Sequence, residues 1–194
     1  MTITAKKASR KEQIQAEATS LFREKGFNAS SMRHLAENLG IEAASLYNHI
    51  SSKDDLLTEI CFTVGKLFLE QLEAVDNSLM SPGGKADAII RFHIRMMLGK
   101  FESVYVSNRD WKHLKEPYLS EFQALRRNYE KRFSDIIQQG IKQKEFANRN
   151  TYISVLTILS AVRGIEYWHK SKKNIPAEKL EEDLTAMLMA GLKN

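Results

Sequence analysis

The segment spanning residues 30–53 constrains the fold of this 194-residue chain more than any other part of the sequence. Apolar residues recur at spacings of three and four over residues 32–39, which predicts a short amphipathic helix. Gly40 follows the last of them, where a left-handed backbone can end a helix at little cost. A second helix is predicted at once, over residues 42–49. Two helices joined by so short a turn form a helix-turn-helix unit.

The second helix has the composition of a surface that contacts nucleic acid. Only Leu46 and Ile50 are obvious apolar anchors, and the remaining positions are small or polar. Small residues let a helix approach base edges closely, and hydroxyl, amide and imidazole groups bond to phosphates or bases. The alternative is an αα-hairpin packed in a core, but a helix built only for burial would carry more bulk. The composition therefore favours a helix that enters the major groove of DNA.

The chemistry of the side chains predicts separate roles for them. Ser31 and Lys53 each lie near the start of a helix, where anions are favoured, and are predicted to hold phosphates. Tyr47 and His49 are expected to contact the DNA backbone as well, although Tyr47 can also be a packing residue. Arg33 is the candidate for reading a guanine, because its guanidinium matches the O6 and N7 acceptors. Four more residues are expected to face base edges: Ala43, Ala44, Ser45 and Asn48.

Residues 26–57, GFNASSMRHLAENLGIEAASLYNHISSKDDLL, resemble the tetracycline-repressor-like (TetR) family of transcriptional regulators. The shared pattern is Gly-aromatic, a Ser/Thr pair, Leu-Ala, Gly-hydrophobic, Leu-Tyr-x-His, and a Lys before acidic residues and Leu-Leu. Ile50 departs from it, since a Phe is more usual there. The resemblance implies a three-helix DNA-binding head and a helical body that holds a ligand cavity. It also implies a homodimer formed through the last two helices.

The rest of the chain is predicted to be helical, so the expected fold class is all-α with about nine helices. Three prolines and no alternating β pattern support this prediction. The expected domains are residues 1–53, a basic N-terminal arm with the helix-turn-helix head, and residues 54–194, the ligand-binding and dimerisation body. Outside the helix-turn-helix, the predicted helices are residues 9–25, 53–78, 85–108, 111–114, 116–144, 151–170 and 176–192, with a break at 81–84.

Charge and composition indicate the compartment and the partners. The formal net charge of +5 suits a polyanionic partner without proving one. Cys61 is the single cysteine, so no internal disulfide can form and a reducing cytoplasm is expected. The first residues lack the apolar core of a signal peptide, and no apolar run approaches the roughly 20 residues that span a bilayer. No membrane association is therefore expected.

The body contains many aromatic and methionine residues, which usually form an ordinary core but also describe an adaptable ligand pocket. Residues 126–146 and 158–192 resemble the subgroup of the family that senses acyl-CoA thioesters. Arg163 lies within the apolar run LTILSAVRGIEYW, where a charge needs a partner or a ligand. Arg127 and Lys131 are better interpreted as solvated residues. The predicted ligand-binding residues are Phe62, Phe92, Met96, Trp111, Phe122, Arg126, Tyr129, Arg163 and Tyr167.

An enzyme is not predicted, and neither a cofactor nor a metal is expected. The five histidines are scattered, and the sequence has no glycine-rich phosphate loop and no Gly-x-Ser-x-Gly motif. The predicted function is a homodimeric repressor that binds a palindromic double-stranded DNA operator. A small hydrophobic effector, for example an acyl-CoA, would release it. The alternatives are the same fold sensing hydrophobic cationic drugs to control efflux, and an all-α lipid or acyl carrier without DNA binding.

Overall fold

A computed structural model of the protein describes residues 9–170 and 175–193, and these residues form only helices and their connections. The predicted all-α fold is thereby confirmed for these ranges, while the predicted basic arm lies almost wholly outside them. The helices are α1 (Arg10–Lys25), α2 (Met32–Leu39), α3 (Ala43–Tyr47), α4 (Lys53–Asp76), α5 (Pro82–Gly99), α6 (Phe101–Asp110), a 3-10 helix (Trp111–His113), α7 (Tyr118–Lys142), α8 (Thr151–Arg163), α9 (Ile165–Lys170) and α10 (Ala177–Leu192).

Local capping chemistry sets the start of five of these helices. In α1, α2, α4, α5 and α8 the preceding side chain accepts a hydrogen bond from an amide of the first turn. The caps are Ser9, Ser31, Ser52, Ser81 and Asn150. Each is worth about 1 kcal/mol of helix stability. Gly40 ends α2 with φ 62°, in the left-handed conformation that the sequence predicted.

Two predicted helices are each divided in the structure, which raises the count of α-helices in the described residues to ten. The helix predicted over residues 85–108 breaks at Lys100, which follows Gly99, a residue that weakens a helix. The helix predicted over residues 151–170 breaks at Gly164, whose amide is shared between the carbonyls of Ser160 and Ala161.

The segment 81–84 was predicted to be a break between two helices, but in the structure α5 already begins within it. Ser81 caps α5, Pro82 occupies its first turn, and the amide of Gly83 donates to the carboxylate of Glu145 at 2.8 Å. This carboxylate also accepts from the Ser81 hydroxyl at 2.9 Å. The loop therefore ends before these residues, and α5 begins three residues earlier than expected.

Two buried clusters organise the protein, and α4 passes through both. The first cluster joins head residues, among them Phe22 and Leu46, to Val106, Leu114 and Phe122 of the body. The second holds the rest of the body and includes Phe133 of α7. The head therefore packs directly against α6 and α7. The division into two domains between residues 53 and 54 stays a prediction. None of the helices in the described ranges combines the length and apolar character that a membrane crossing needs.

Candidate DNA-binding head and ligand cavity

Helix α3 presents a continuous polar surface on the outside of the head. Leu46 is fully buried and anchors the helix, so the residues around it point outward. Ala43 is half-buried against the head cluster. The other predicted contact residues of this helix are exposed together: Ala44, Ser45, Tyr47, Asn48 and His49. Together they form a surface that is open to a DNA groove. Tyr47 is 55% exposed, so the alternative role as a buried packing residue does not apply to it.

The two predicted contact residues at the start of α2 have partners within the helix. The Ser31 hydroxyl accepts from the amide of His34 at 3.2 Å, so it caps the helix while its own proton stays available. Arg33 is exposed and its Nε donates to Glu37 at 3.0 Å. An exposed pair of this kind is weak, so the guanidinium can exchange Glu37 for a base edge at small cost. The guanine contact of Arg33 remains a prediction.

Lys53 makes contacts within the head that the sequence did not predict. Its Nζ donates to the backbone carbonyls of Phe27 and Ser30, both at 3.0 Å, and lies 4.3 Å from the centre of the Phe27 ring. Two of its three ammonium protons are therefore used inside the head. Through these contacts Lys53 ties the loop between α1 and α2 to the start of α4. A phosphate contact through the third proton stays a prediction.

A cavity of about 70 Å³ lies in the body between α4, α5, α6, α7 and α8. Four predicted ligand-binding residues line it: Phe122, Arg126, Tyr129 and Arg163. The first three lie on one face of α7, at spacings of four and three. Arg163 ends α8 and reaches the same space, so the charge within the apolar run does face a cavity.

The other five predicted residues do not line this cavity: Phe62, Phe92, Met96, Trp111 and Tyr167. On α5 the residues that line the cavity are His93 and Met97, each one position after the predicted Phe92 and Met96. Adjacent residues of a helix point about 100° apart, so the two pairs lie on neighbouring faces of α5. Met96 is buried in the body core instead.

Phe62, Trp111 and Tyr167 lie behind or outside the cavity. The Phe62 and Trp111 rings pack against Phe122 at centroid distances of 5.5 and 6.3 Å, so they support a lining residue. Tyr167 is 69% exposed.

His93 is the cavity residue that the sequence did not identify. Its Nε2 and the Tyr129 hydroxyl are 2.7 Å apart, and its ring stacks on Phe68 at a centroid distance of 4.4 Å. Burial, and then the charge of Arg163, lower the pKa of His93 to about 3. Burial raises the pKa of Tyr129. Both groups are therefore neutral near pH 7, and they form one polar edge in an otherwise apolar wall.

The cavity has an excess of positive charge. Arg126 lies over the Trp111 ring at 5.3 Å, and burial, followed by the nearby Arg163, lowers its pKa. Glu130 is the lining carboxylate that offsets part of this charge. No salt bridge within the described residues includes Arg126 or Arg163. Since unpaired guanidinium groups facing an apolar space favour an anion or a polarised carbonyl, the cavity suits a ligand that carries one.

A second, more open cavity of about 260 Å³ adjoins the first. Met97, Asn108 and Arg163 line both cavities. Arg109 and Glu166 contribute further charged groups to the open one. The two spaces together can accept a ligand that extends from the first cavity into the second.

Helix α6 connects the cavities to the head. Ser107 and Asn108 line the first cavity, and Asp110, two residues beyond Asn108, interacts with the backbone amide of Phe27 in the head. The Asp110 side chain is 5% exposed, and burial raises its pKa. The ring of His113 also stacks on Phe27 at a centroid distance of 5.6 Å. A displacement of α6 at the cavity would therefore reach the head directly.

Comparison with known proteins agrees with this arrangement. The family described as "Bacterial regulatory proteins, tetR family" matches residues 14–60, and "Tetracyclin repressor-like, C-terminal domain" matches residues 80–192. The HTH-type transcriptional repressor KstR2 of Mycolicibacterium smegmatis is 20% identical over 190 residues, which cover 95% of this chain and 91% of that protein.

Two solved structures share the fold over nearly the whole chain. The ketosteroid transcriptional regulator KstR2 of Mycobacterium tuberculosis superposes with a TM-score of 0.89 at 18% identity, covering 100% of both chains. AibR in complex with isovaleryl coenzyme A and operator DNA gives a TM-score of 0.82 at 23% identity, covering 93% of this chain and 98% of AibR. At these identities the likeness establishes the fold alone. Since both family domains match and together cover most of the sequence, the chain belongs to the TetR family of transcriptional regulators, which are not enzymes.

Proposed function

We propose that this protein is a homodimeric transcriptional repressor that binds a near-palindromic operator and is released by an acyl-CoA thioester. The observation that carries the proposal is that α6 both lines the ligand cavity and contacts the head that exposes α3. The named repressor KstR2 and the isovaleryl-CoA complex of AibR support the repressor and effector classes.

A dimer is supported by exposed apolar residues on the last helices. Tyr152, Ile153 and Leu156 are between 48% and 63% exposed on one face of α8, and Met187 on α10 is 71% exposed. Large apolar side chains that are exposed together on the face of a helix, as on α8, favour an interaction site. A second copy is the occupant that also explains a two-headed DNA-binding protein, because two-fold symmetry places one α3 in each half-site.

The charge of the cavity supports an acyl thioester over a cationic drug. Arg126 and Arg163 face the cavity against the single lining carboxylate of Glu130. A cation entering this space would be repelled, whereas a carbonyl oxygen or a phosphate would gain hydrogen bonds. An acyl carrier without DNA binding is a weaker alternative, because it gives the exposed α3 surface no role.

Release follows from a two-state equilibrium. A ligand that binds better when α6 is displaced shifts the population toward a state in which the Phe27 loop, and with it the head, is repositioned. In a dimer this changes the distance between the two α3 helices, so the DNA-competent spacing is lost. The long helix α4 moves with the head, because its first half is part of the head cluster.

Arg163→Ala tests the effector site without touching the head. Operator affinity should stay within about twofold of wild type, while release by an acyl-CoA should be lost, which an electrophoretic mobility shift with added ligand would show. Arg127→Ala, an exposed residue on α7, is the matched control and should respond normally. Normal release from the Arg163 variant would remove this residue from the site.

A further inference from the structure

We propose that His93 and Tyr129 select an effector whose acyl group carries an oxygen atom of its own, a carbonyl or a hydroxyl, beside the oxygen of the thioester. The inference rests on the proposed acyl-CoA function and adds the chemistry of the acyl group to it. Three features support it: a polar hydrogen that the two residues leave unused, their apolar surroundings, and their offset from the junction of the two cavities.

The pair formed by His93 and Tyr129 has one polar hydrogen more than its own hydrogen bond uses. A neutral imidazole carries one N–H and a phenol one O–H, and the lowered pKa of His93 keeps its ring neutral near pH 7. The 2.7 Å contact between the His93 Nε2 and the Tyr129 hydroxyl uses one of these hydrogens, whichever group donates. Within the part of the chain that the structure describes, neither group forms another hydrogen bond. Since both residues line the cavity, a ligand oxygen there can accept the remaining hydrogen.

The apolar surroundings of the pair make an unused donor costly. The Phe68 ring stacks on His93 at a centroid distance of 4.4 Å and lies edge-on to Tyr129 at 6.1 Å. Leu159 and Val162 line the same cavity. An alkyl chain that covers a polar hydrogen removes it from water and returns no hydrogen bond. The site therefore discriminates against a ligand that lacks the matching oxygen.

The pair is offset from the junction at which the two cavities meet. Arg163 lines both cavities, so its guanidinium is placed for the thioester oxygen. Met97, one turn after His93 on the same face of α5, also lines both cavities, whereas His93 and Tyr129 line only the first. One turn of an α-helix is about 5.4 Å. The oxygen that the pair binds is therefore a second one, further along the acyl chain than the thioester carbonyl.

Calorimetric titration of the purified protein with thioesters that differ by one oxygen atom tests this requirement. The series contains hexanoyl-CoA and its 3-oxo, 3-hydroxy, 5-oxo and 5-hydroxy derivatives, with CoA alone beside them. At least one oxygenated derivative should bind at least tenfold more tightly than hexanoyl-CoA. Oxygenated derivatives that all bind no more tightly than hexanoyl-CoA would overturn the inference.

The double variant His93→Leu with Tyr129→Phe supplies the second test, because it removes every polar hydrogen of the pair and keeps side chains of similar size. It should bind hexanoyl-CoA and the preferred derivative within about twofold of each other. Tyr118→Phe is the matched control and should keep the wild-type preference, since Tyr118 lies on the same helix, is 44% exposed and does not line the cavity.

A wild-type preference in the double variant, with wild-type folding by circular dichroism, would contradict the role of the pair. This includes the case in which hexanoyl-CoA and its derivative are weakened by the same factor, which would place the pair at the thioester oxygen.

The two proposals fail in different ways. Hexanoyl-CoA that binds as tightly as every oxygenated derivative would refute the second oxygen and leave the acyl-CoA class standing. Absence of binding by every thioester would refute the effector class and the second oxygen together.

Discussion

Replacing Lys53 by methionine should destabilise the head, because this lysine holds the loop between α1 and α2. Its ammonium group donates to the Phe27 and Ser30 carbonyls at 3.0 Å each and lies 4.3 Å from the Phe27 ring centre. Methionine keeps the apolar stem of the side chain and removes the charge and the donors. The substitution therefore isolates the polar contacts from the packing.

The magnitude follows from the three lost contacts. A hydrogen bond to a charged group is worth about 1.5–3 kcal/mol when buried, and partial exposure reduces this to roughly 1 kcal/mol for each of the two. The cation–π contact adds about 0.5 kcal/mol. The free energy of unfolding should therefore fall by about 2.5 kcal/mol. For a chain of this length that corresponds to a decrease in Tm of about 5–10 °C.

Thermal unfolding followed by circular dichroism at low protein concentration measures this effect. Lys66→Met is the matched control, because Lys66 lies on the same helix, is 76% exposed and, within the described part of the chain, forms a salt bridge with Glu70. Its Tm should stay within about 1 °C of wild type, as for other exposed pairs. A Lys53 variant that has the same Tm as the Lys66 variant but no longer binds DNA would refute the structural role of Lys53. It would return Lys53 to the phosphate contact that the sequence predicted.

Two further predictions concern stability. Gly40→Ala should lower the free energy of unfolding in urea by about 1 kcal/mol, because φ of Gly40 is 62°. Gly99→Ala is the control and should be neutral or stabilising, because Gly99 has no positive φ and an added Cβ would meet no atom within 4 Å. Equal effects of the two substitutions would contradict the role of the left-handed backbone at Gly40. Glu181→Gln should lower stability by about 1 kcal/mol at pH 7, because Glu181 accepts from Arg95 at 2.8–3.0 Å and from Arg91 at 3.5 Å. Arg95 and then Arg91 hold the pKa of Glu181 below its usual value. The stabilisation from the ionised Glu181 is complete above the pKa of the unfolded state and is lost as the pH falls through the lower pKa of the folded state. The difference in unfolding free energy between wild type and variant should therefore vanish in acid. A difference that does not depend on pH would contradict the ion pairs of Glu181.

The head could be predicted well from sequence because local chemistry decides it. Ser31 caps α2 with its own hydroxyl, and Gly40 ends the helix by its backbone conformation, so both signals lie within a few residues of the element that they define. The environment of Lys53 could not be predicted, since its partners are 23 and 26 residues away and depend on the shape of a loop.

The cavity could be predicted only in part. Phe122, Arg126 and Tyr129 share a face of α7 by their spacing alone, and Arg163 was identified because a charge in an apolar run needs a partner. On α5 the lining residues His93 and Met97 each follow a predicted residue by one position, and the sequence alone did not fix which face of this largely apolar helix points to the cavity. No proline lies near Lys100, so the sequence around it predicts one continuous helix instead of the two that the structure has.

Operator binding and release should be measured on one preparation of the purified protein. Duplexes that bind the protein would be selected from a random-sequence pool, and the selected site would then be titrated with a series of acyl-CoA thioesters in a fluorescence anisotropy assay at fixed salt. We expect a near-palindromic site that wild type binds, that Tyr47→Ala fails to bind, and from which an acyl-CoA releases the protein. Selection that yields no preferred sequence, or a complex that no acyl-CoA releases, would contradict it.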